Sequence, residues 1–196
     1  MTHATPQPTG QLVCVVGPSG AGKDSVLNWL VSHWAHTTPL QWARRTITRP
    51  ADAGGEPHEA IAVAPFERLR DAGEFAWHWT AHGLHYGVRH TELQGLAQGA
   101  CVLLNGSRAH LDAAIARFPG MAVLHITASA ATLNSRLQAR QRESASDIQQ
   151  RVHRQAPLPT GLHTPVHTVS NDGALSDAGQ QALDWLHALL QARHPG

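Results

Sequence analysis

Lysine is almost missing from this chain: Lys23 is the only one in 196 residues, and every other basic side chain apart from histidine is an arginine. Fifteen Lys and Arg are nearly balanced by fourteen Asp and Glu, which leaves a formal net charge of +1. That balance supplies no broad cationic face, so nucleic acid is not an expected partner. Aromatic residues make up only 5%, six of them Trp and one Tyr. There are two cysteines, Cys14 and Cys101, each inside an apolar run. They suit core packing and suggest neither a disulfide framework nor a Cys-based metal site. No apolar stretch approaches the ~18 residues that would span a bilayer, so no membrane partner is expected. Residues 1–10 are polar and carry proline, which reads as a flexible N-terminus rather than a secretory signal. A cytoplasmic protein is the expectation.

Histidine is plentiful, with fifteen scattered along the chain. His33 and His36, or His82 and His85, are spaced to share a metal, but no carboxylate or Cys cluster accompanies them. Surface histidine in a Lys-poor chain is the simpler account. The length suits one domain with a full core.

Leu12 to Val16 is a short apolar run ended by Gly17, and it reads as a strand buried on both faces. Over residues 23–35, Val26, Leu27, Leu30, Val31 and Trp34 fall at helical spacing. Residues 41–48 read as a second strand, stopped by Pro50 and the Gly54-Gly55 pair, and 51–60 as a loop. A short helix over 65–72 is closed by Gly73. Phe75 to Val88 reads as a hairpin turning near His82-Gly83, followed by a helical stretch over 90–98 ended by Gly99. Further strands are expected at 101–105, 122–127 and 166–170. Helices are expected at 107–117, 130–140, 144–155 and 177–192. Alternating strands and helices indicate an α/β fold with a parallel sheet covered on both faces.

Gly17-Pro18-Ser19-Gly20-Ala21-Gly22-Lys23 satisfies G-x-x-x-x-G-K between a strand and a helix. Glycines let the backbone curl until successive N–H groups converge on phosphate oxygens. The helix adds its positive end, and a lysine in this place reaches the β- and γ-phosphates. ATP is therefore the expected nucleotide and Lys23 a catalytic cation. A Ser or Thr normally follows that lysine and touches Mg²⁺, whereas here Asp24 follows, with Ser25 after it. Two readings stand. Asp24 is a Mg²⁺ ligand, direct or through water, or it is an acidic residue that favours the helix start.

Further segments carry a resemblance. Arg45-Thr46-Ile47-Thr48-Arg49-Pro50, Gly55-Glu56, Gly73-Glu74-Phe75 and Tyr86-Gly87 resemble the guanylate kinase superfamily along nearly the whole chain. The resemblance implies a three-layer α/β/α P-loop kinase of one domain over 11–196, with a small acceptor lobe at about 41–90 and a helical lid at about 136–154. True guanylate kinases read guanine with a Glu and a Ser or Thr. The matching positions here are about Trp77 and Val88, and a second acceptor Arg has no match around Ala51-Asp52-Ala53. Gly17 to Ser25, Arg44 to Pro50, Ala81 to Gly87 and Val102 to Arg108 instead resemble a narrower branch, the ribose 1,5-bisphosphate phosphokinases of phosphonate (carbon–phosphorus lyase) degradation. The implied reaction is ATP-dependent phosphorylation of ribose 1,5-bisphosphate to 5-phospho-α-D-ribose 1-diphosphate (PRPP) plus ADP, with a small sugar phosphate as partner.

By that resemblance, Gly17, Pro18, Ser19, Gly20, Ala21, Gly22, Lys23, Asp24 and Ser25 hold ATP and Mg²⁺, and Asn171 of the Asn171-Asp172 turn lies near adenine. Arg45, Arg49, Tyr86, Asn105 and Arg108 hold the acceptor. Arg136, Arg140 and Arg151 of the lid meet the transferred phosphate. Guanylate kinases often carry Asp where Asn105 stands, which suggests that a carboxylate has moved from the strand end to position 24. Trp77 and Trp79 share one face of a strand and either pack the lobe or floor the pocket. Rival readings are a nucleoside monophosphate (guanylate) kinase and a non-catalytic guanylate kinase-like interaction module, although such modules tend to lose the lysine that this chain keeps. A GTPase switch lacks its N-K-x-D-like motif here. Oligomeric state is left open, a homodimer included.

Overall fold

The structure is a computed structural model that describes residues 9–50, 56–139, 158–159 and 161–193. The order of elements is β1 (Gln11–Val16), α1 (Lys23–His33), β2 (Leu40–Ala43), β3 (Arg45–Ile47), β4 (His58–Ala60), α2 (Val63–Asp71), β5 (Phe75–Ala81) and β6 (Leu84–Arg89). A 3-10 helix follows at His90–Gln98. Then come β7 (Cys101–Asn105), a 3-10 turn at Arg108–His110, α3 (Leu111–Arg117), β8 (Ala122–Thr127), α4 (Ala130–Ala139), β9 (Val166–Ser170) and α5 (Leu175–Arg193). A five-stranded sheet has the order β2-β7-β1-β8-β9, and a four-stranded sheet the order β4-β3-β6-β5.

All six residues of β1 are buried, as are all five of β7. Valine and leucine side chains on both faces of a strand demand cover on both sides, each contributing about 1.5–3 kcal/mol when buried. The pairs β2–β7 and β8–β9 are parallel, with Leu40 opposite Cys101 and Val123 opposite Val166. No helix among the described residues is long and apolar enough to cross a membrane.

The chain divides into two compact units. One comprises residues up to Val13 together with Thr37–Leu104; the other comprises Cys14–His36 and the chain from Asn105 onward. In the first unit β5 and β6 form the expected hairpin, turning at His82 and Gly83, both with positive φ. Phe66 of α2 packs its ring on Phe75, 4.7 Å between centroids. In the second unit α1 and α5 pack together, and Leu27, Leu30 and Leu186 are fully buried.

Three local expectations change. The stretch 41–48 is two strands rather than one, because β2 pairs with β7 whereas β3 pairs with β4 and β6. Its β-forming composition runs through exposed Arg44, so nothing local marks the break. The expected loop 51–60 contains strand β4, whose register is Arg45 opposite His58 and Ile47 opposite Ala60. That strand is held by polar side chains instead of an apolar alternation: Thr46 Oγ1 donates to Glu59 at 2.7 Å, and Arg89 grips both Glu59 oxygens at 2.9 and 2.7 Å. The helical stretch at 90–98 is a 3-10 helix. The expected helix at 144–155 lies outside the described residues.

Candidate active site

In the second unit, the end of β1 from Cys14 to Val16 delivers the chain into the glycine loop, and α1 begins at Lys23. Two glycines are obligatory for local reasons. A Cβ on Gly17 would run into the carbonyl oxygen of Ile126. Gly22 has φ 83 and caps α1 in the left-handed region, where a Cβ would collide with the Asn171 amide. Lys23 Nζ donates to the carbonyls of Gly17 at 3.0 Å and Pro18 at 3.1 Å, so the ammonium is drawn back over its own loop.

The end of β7 lies beside this loop, because the Gly106 N–H donates to the Val15 carbonyl at 2.9 Å. Asn105, buried, donates from Nδ2 to Asp24 Oδ1 at 3.1 Å. Burial pushes the Arg108 guanidinium below its ordinary pKa, and among the described residues no carboxylate pairs with it. His125 on β8 is pushed down from its ordinary value by burial first, then by the charges of Arg108 and Lys23. Lys23 and Arg108 both act on His125, so two cations lie near the end of β8, which suits a bound phosphate.

A second set of contacts ties the loop to the turn after β9. Arg136 of α4 donates through Nη1 to the carbonyls of Gly20 and Ala21, each at 3.4 Å, and through Nη2 to the Asn171 carbonyl at 2.8 Å. Asn171, buried, donates from Nδ2 to the Ala21 carbonyl at 2.8 Å. Asp172 accepts from the Ser129 N–H at 2.8 Å and the Ser170 hydroxyl at 2.7 Å. The Ser129 backbone bond, with hydrogen bonds from Thr132, Ser170 and Ser129 side chains, holds its carboxyl well below the usual range. Ser129 in turn caps α4, accepting from the Thr132 N–H at 3.2 Å. Gly20, Gly22, Ser25, Arg136, Asn171 and Leu175 line a cleft of about 330 Å³.

The remaining expected acceptor residues, Arg45, Arg49 and Tyr86, belong to the first unit. Arg45 Nε pairs with Glu56, whose side chain is 3% exposed. The Arg45 guanidinium also lies over the Tyr86 ring at 5.1 Å and the Trp79 ring at 5.8 Å. Trp77 and Trp79 stack with centroids 4.2 Å apart, and Trp79 stacks on Tyr86 at 5.3 Å with only 7° between planes. Arg49 contacts His58 through Nη2 at 3.3 Å, and its buried Nε has no partner among the described residues.

The structure thus gathers Lys23, Asp24, Asn105, Arg136 and Asn171 around the glycine loop, and gathers Arg45 with Tyr86 in the other unit. Arg140 and Arg151 lie outside the described residues, as does all of the expected lid at about 136–154 beyond the end of α4 at Ala139. Sequence reasoning missed His58 and the pairing of Arg89 with Glu59. The Gly55-Glu56 turn was visible, but nothing in it announced Glu56 as the partner of Arg45.

No family model matches the chain. Among solved structures, the guanylate kinase of Anaplasma phagocytophilum superposes with a TM-score of 0.65, covering 93% of this chain and 87% of that one at 17% identity. A gluconokinase of Sinorhizobium meliloti superposes with a TM-score of 0.50, covering 95% and 97% at 20% identity. Fold and glycine loop together define an α/β P-loop kinase fold of the guanylate kinase type. The ribose 1,5-bisphosphate phosphokinase of Rhizobium etli is 39% identical over 99% of this chain and 100% of its own length. That of Chromobacterium violaceum is 45% identical over 91% and 94%. Some relatives are longer, and the chain spans 43% of the one from Laribacter hongkongensis. The chain belongs to the ribose 1,5-bisphosphate phosphokinase family.

Proposed function

We propose that the protein transfers the γ-phosphoryl group of ATP to the 1-phosphate of ribose 1,5-bisphosphate, giving 5-phospho-α-D-ribose 1-diphosphate and ADP, as a cytoplasmic enzyme of phosphonate degradation. An oxygen of the 1-phosphate bonds to the γ-phosphorus as the bond to the β–γ bridging oxygen breaks, and ADP departs with those electrons. The observation that supports the reading best is the sole lysine held at 3.0 and 3.1 Å inside a glycine loop, at the head of α1. Its ammonium and the loop N–H groups cradle the β- and γ-phosphates. The cleft beside Arg136 and Asn171 takes the adenosine end. Arg108, Asn105, Arg45, Arg49 and Tyr86 hold the acceptor, and Arg140 and Arg151 reach the transferred group. The attacking atom is already an ionised oxygen, so no strong general base is needed.

Asp24 provides a carboxylate at the first turn of α1, with Oδ1 oriented by Asn105. Mg²⁺ takes such hard oxygen ligands, so the residues present fit this ion. When bound, it neutralises charge on the phosphate oxygens. Asn105 holds one oxygen of that carboxylate by its hydrogen bond.

An ADP-release assay with ribose 1,5-bisphosphate, ribose 5-phosphate and GMP as acceptors tests the proposal. Ribose 1,5-bisphosphate should give the largest kcat/KM. A preference for GMP would overturn the substrate, and no ATP-dependent turnover with any acceptor would overturn the enzyme.

A further inference from the structure

His58, at the start of β4, has its ring set between two parts of one residue. Nε2 lies 3.2 Å from the Arg49 carbonyl oxygen, and Nδ1 lies 3.3 Å from Arg49 Nη2. Nδ1 also lies 3.1 Å from the carbonyl oxygen of Glu56. A carbonyl only accepts and a guanidinium only donates. Nε2 must therefore carry a proton to bond the Arg49 carbonyl, and Nδ1 must be bare to accept from Nη2. One neutral tautomer satisfies both Arg49 contacts at once. A second proton, on Nδ1, turns that nitrogen into a donor, which suits the Glu56 carbonyl and repels Nη2. Each state of Nδ1 thus satisfies one of its two neighbours at the expense of the other, and only the bare form holds the Arg49 side chain.

Arg49 carries a matching irregularity. Its Nε is fully buried and makes no hydrogen bond among the described residues. A buried donor left unmade costs about 1–3 kcal/mol, so such a group calls for a partner. The guanidinium is pinned at one nitrogen and keeps donors unspent at the others. Among the described residues, Glu56 is paired with Arg45, and Glu59 with Arg89 and Thr46.

We propose that His58 is a positioning residue for acceptor recognition. In its neutral Nε2–H form it fixes Nη2 of Arg49 so that the rest of the guanidinium fork meets an acceptor phosphate oxygen, and protonation releases that fork. Among the described residues, the charged groups facing the ring are the Arg49 guanidinium, from the segment after β3, and beyond the Glu56 carbonyl the Arg45–Glu56 pair. The proposal rests on the assignment of Arg49 to the acceptor phosphate, and its test keeps the two separable.

Steady-state kinetics on His58→Ala, His58→Asn, His58→Gln and Arg49→Ala, from about pH 5.5 to 8, with thermal melts alongside, provide that test. His58→Ala should raise KM for ribose 1,5-bisphosphate about tenfold, the size of one lost hydrogen bond to a charged group, with kcat and the KM for ATP little moved. Asn places an acceptor oxygen where Nδ1 stands, so His58→Asn should recover most of the loss, and His58→Gln should not. The ratio of wild-type to His58→Asn KM cancels the titration of the substrate phosphates. If the bare Nδ1 is what holds Arg49, that ratio should climb as pH is lowered. If His58→Ala and His58→Gln leave the acceptor KM unchanged while Arg49→Ala raises it, the role of His58 is overturned and Arg49 keeps its own. If Arg49→Ala also leaves it unchanged, both assignments fall. A uniform loss in kcat and both KM values, with lowered melting temperature in every His58 variant, would mark a merely structural residue and equally overturn the proposal.

Discussion

Asn105 donates from Nδ2 to Asp24 Oδ1 at 3.1 Å, joining the end of β7 to the first turn of α1. Strand end and helix start thus share one carboxylate between them. Asp24→Ser should lower kcat at saturating ATP and Mg²⁺ on the order of 10²-fold, the usual cost of removing one group that stabilises developing charge. Adding Asn105→Asp should restore part of that loss by returning the carboxylate to the strand. Titration of activity against Mg²⁺ checks both variants, and no recovery in the double variant would count against the exchange.

Arg136 bridges two loop carbonyls and the Asn171 carbonyl with one planar fork. Lysine has a single ammonium and cannot span the same three oxygens. Arg136→Lys should raise KM for ATP about tenfold and leave KM for the acceptor nearly unchanged. Nucleotide binding measured by calorimetry checks the direction.

The sheet and the glycine loop were legible because their causes are local. Val13, Val15 and Val16 form a run that only a strand covered on both faces can bury, and Gly22 must cap a helix in the left-handed region. The strands at 101–105 and 122–127 fall on largely apolar, buried runs, and the last strand falls at the expected 166–170. What sequence could not show depends on pairing across long separations. The break at Arg44 arises because β2 joins β7, some sixty residues on, while β3 joins β6. Strand β4 exists through Thr46 and Arg89 bonding to Glu59, and His58 matters only because it folds against Arg49. None of these contacts leaves a periodicity.

The depressed pKa of Asp172 gives an acid-side signature. Its ionised form accepts the Ser129 N–H and the Ser170 hydroxyl in the folded state, so the benefit is complete above the ordinary carboxylate pKa of about 4. That benefit declines as pH falls below this value and is gone once the folded-state carboxyl protonates. Asp172→Asn should therefore melt below wild type at neutral pH, and the gap should narrow as pH is lowered through about 4 and beyond. Melting curves across that range check it, and a constant gap would contradict the assignment.

Glu56 and Arg45 form a nearly buried pair, with side chains 3% and 14% exposed. Removing one partner leaves the other charge without its counter-ion, which costs about 3–5 kcal/mol. Glu56→Gln should lower unfolding free energy by an amount of this order in urea melts. It should also loosen Arg45 over the Tyr86 ring, so KM for the acceptor should rise while KM for ATP stays close to wild type.

Phosphorus NMR of ATP with ribose 1,5-bisphosphate, catalysed by wild type and by Lys23→Met, tests phosphoryl transfer to the 1-phosphate most directly. With wild type, a pair of mutually coupled diphosphate signals distinct from those of ADP should grow in step with ADP, and with Lys23→Met it should be absent on the same timescale. Undiminished turnover in Lys23→Met, or a sugar 1-phosphate signal that persists while GMP is readily converted to GDP, would contradict it.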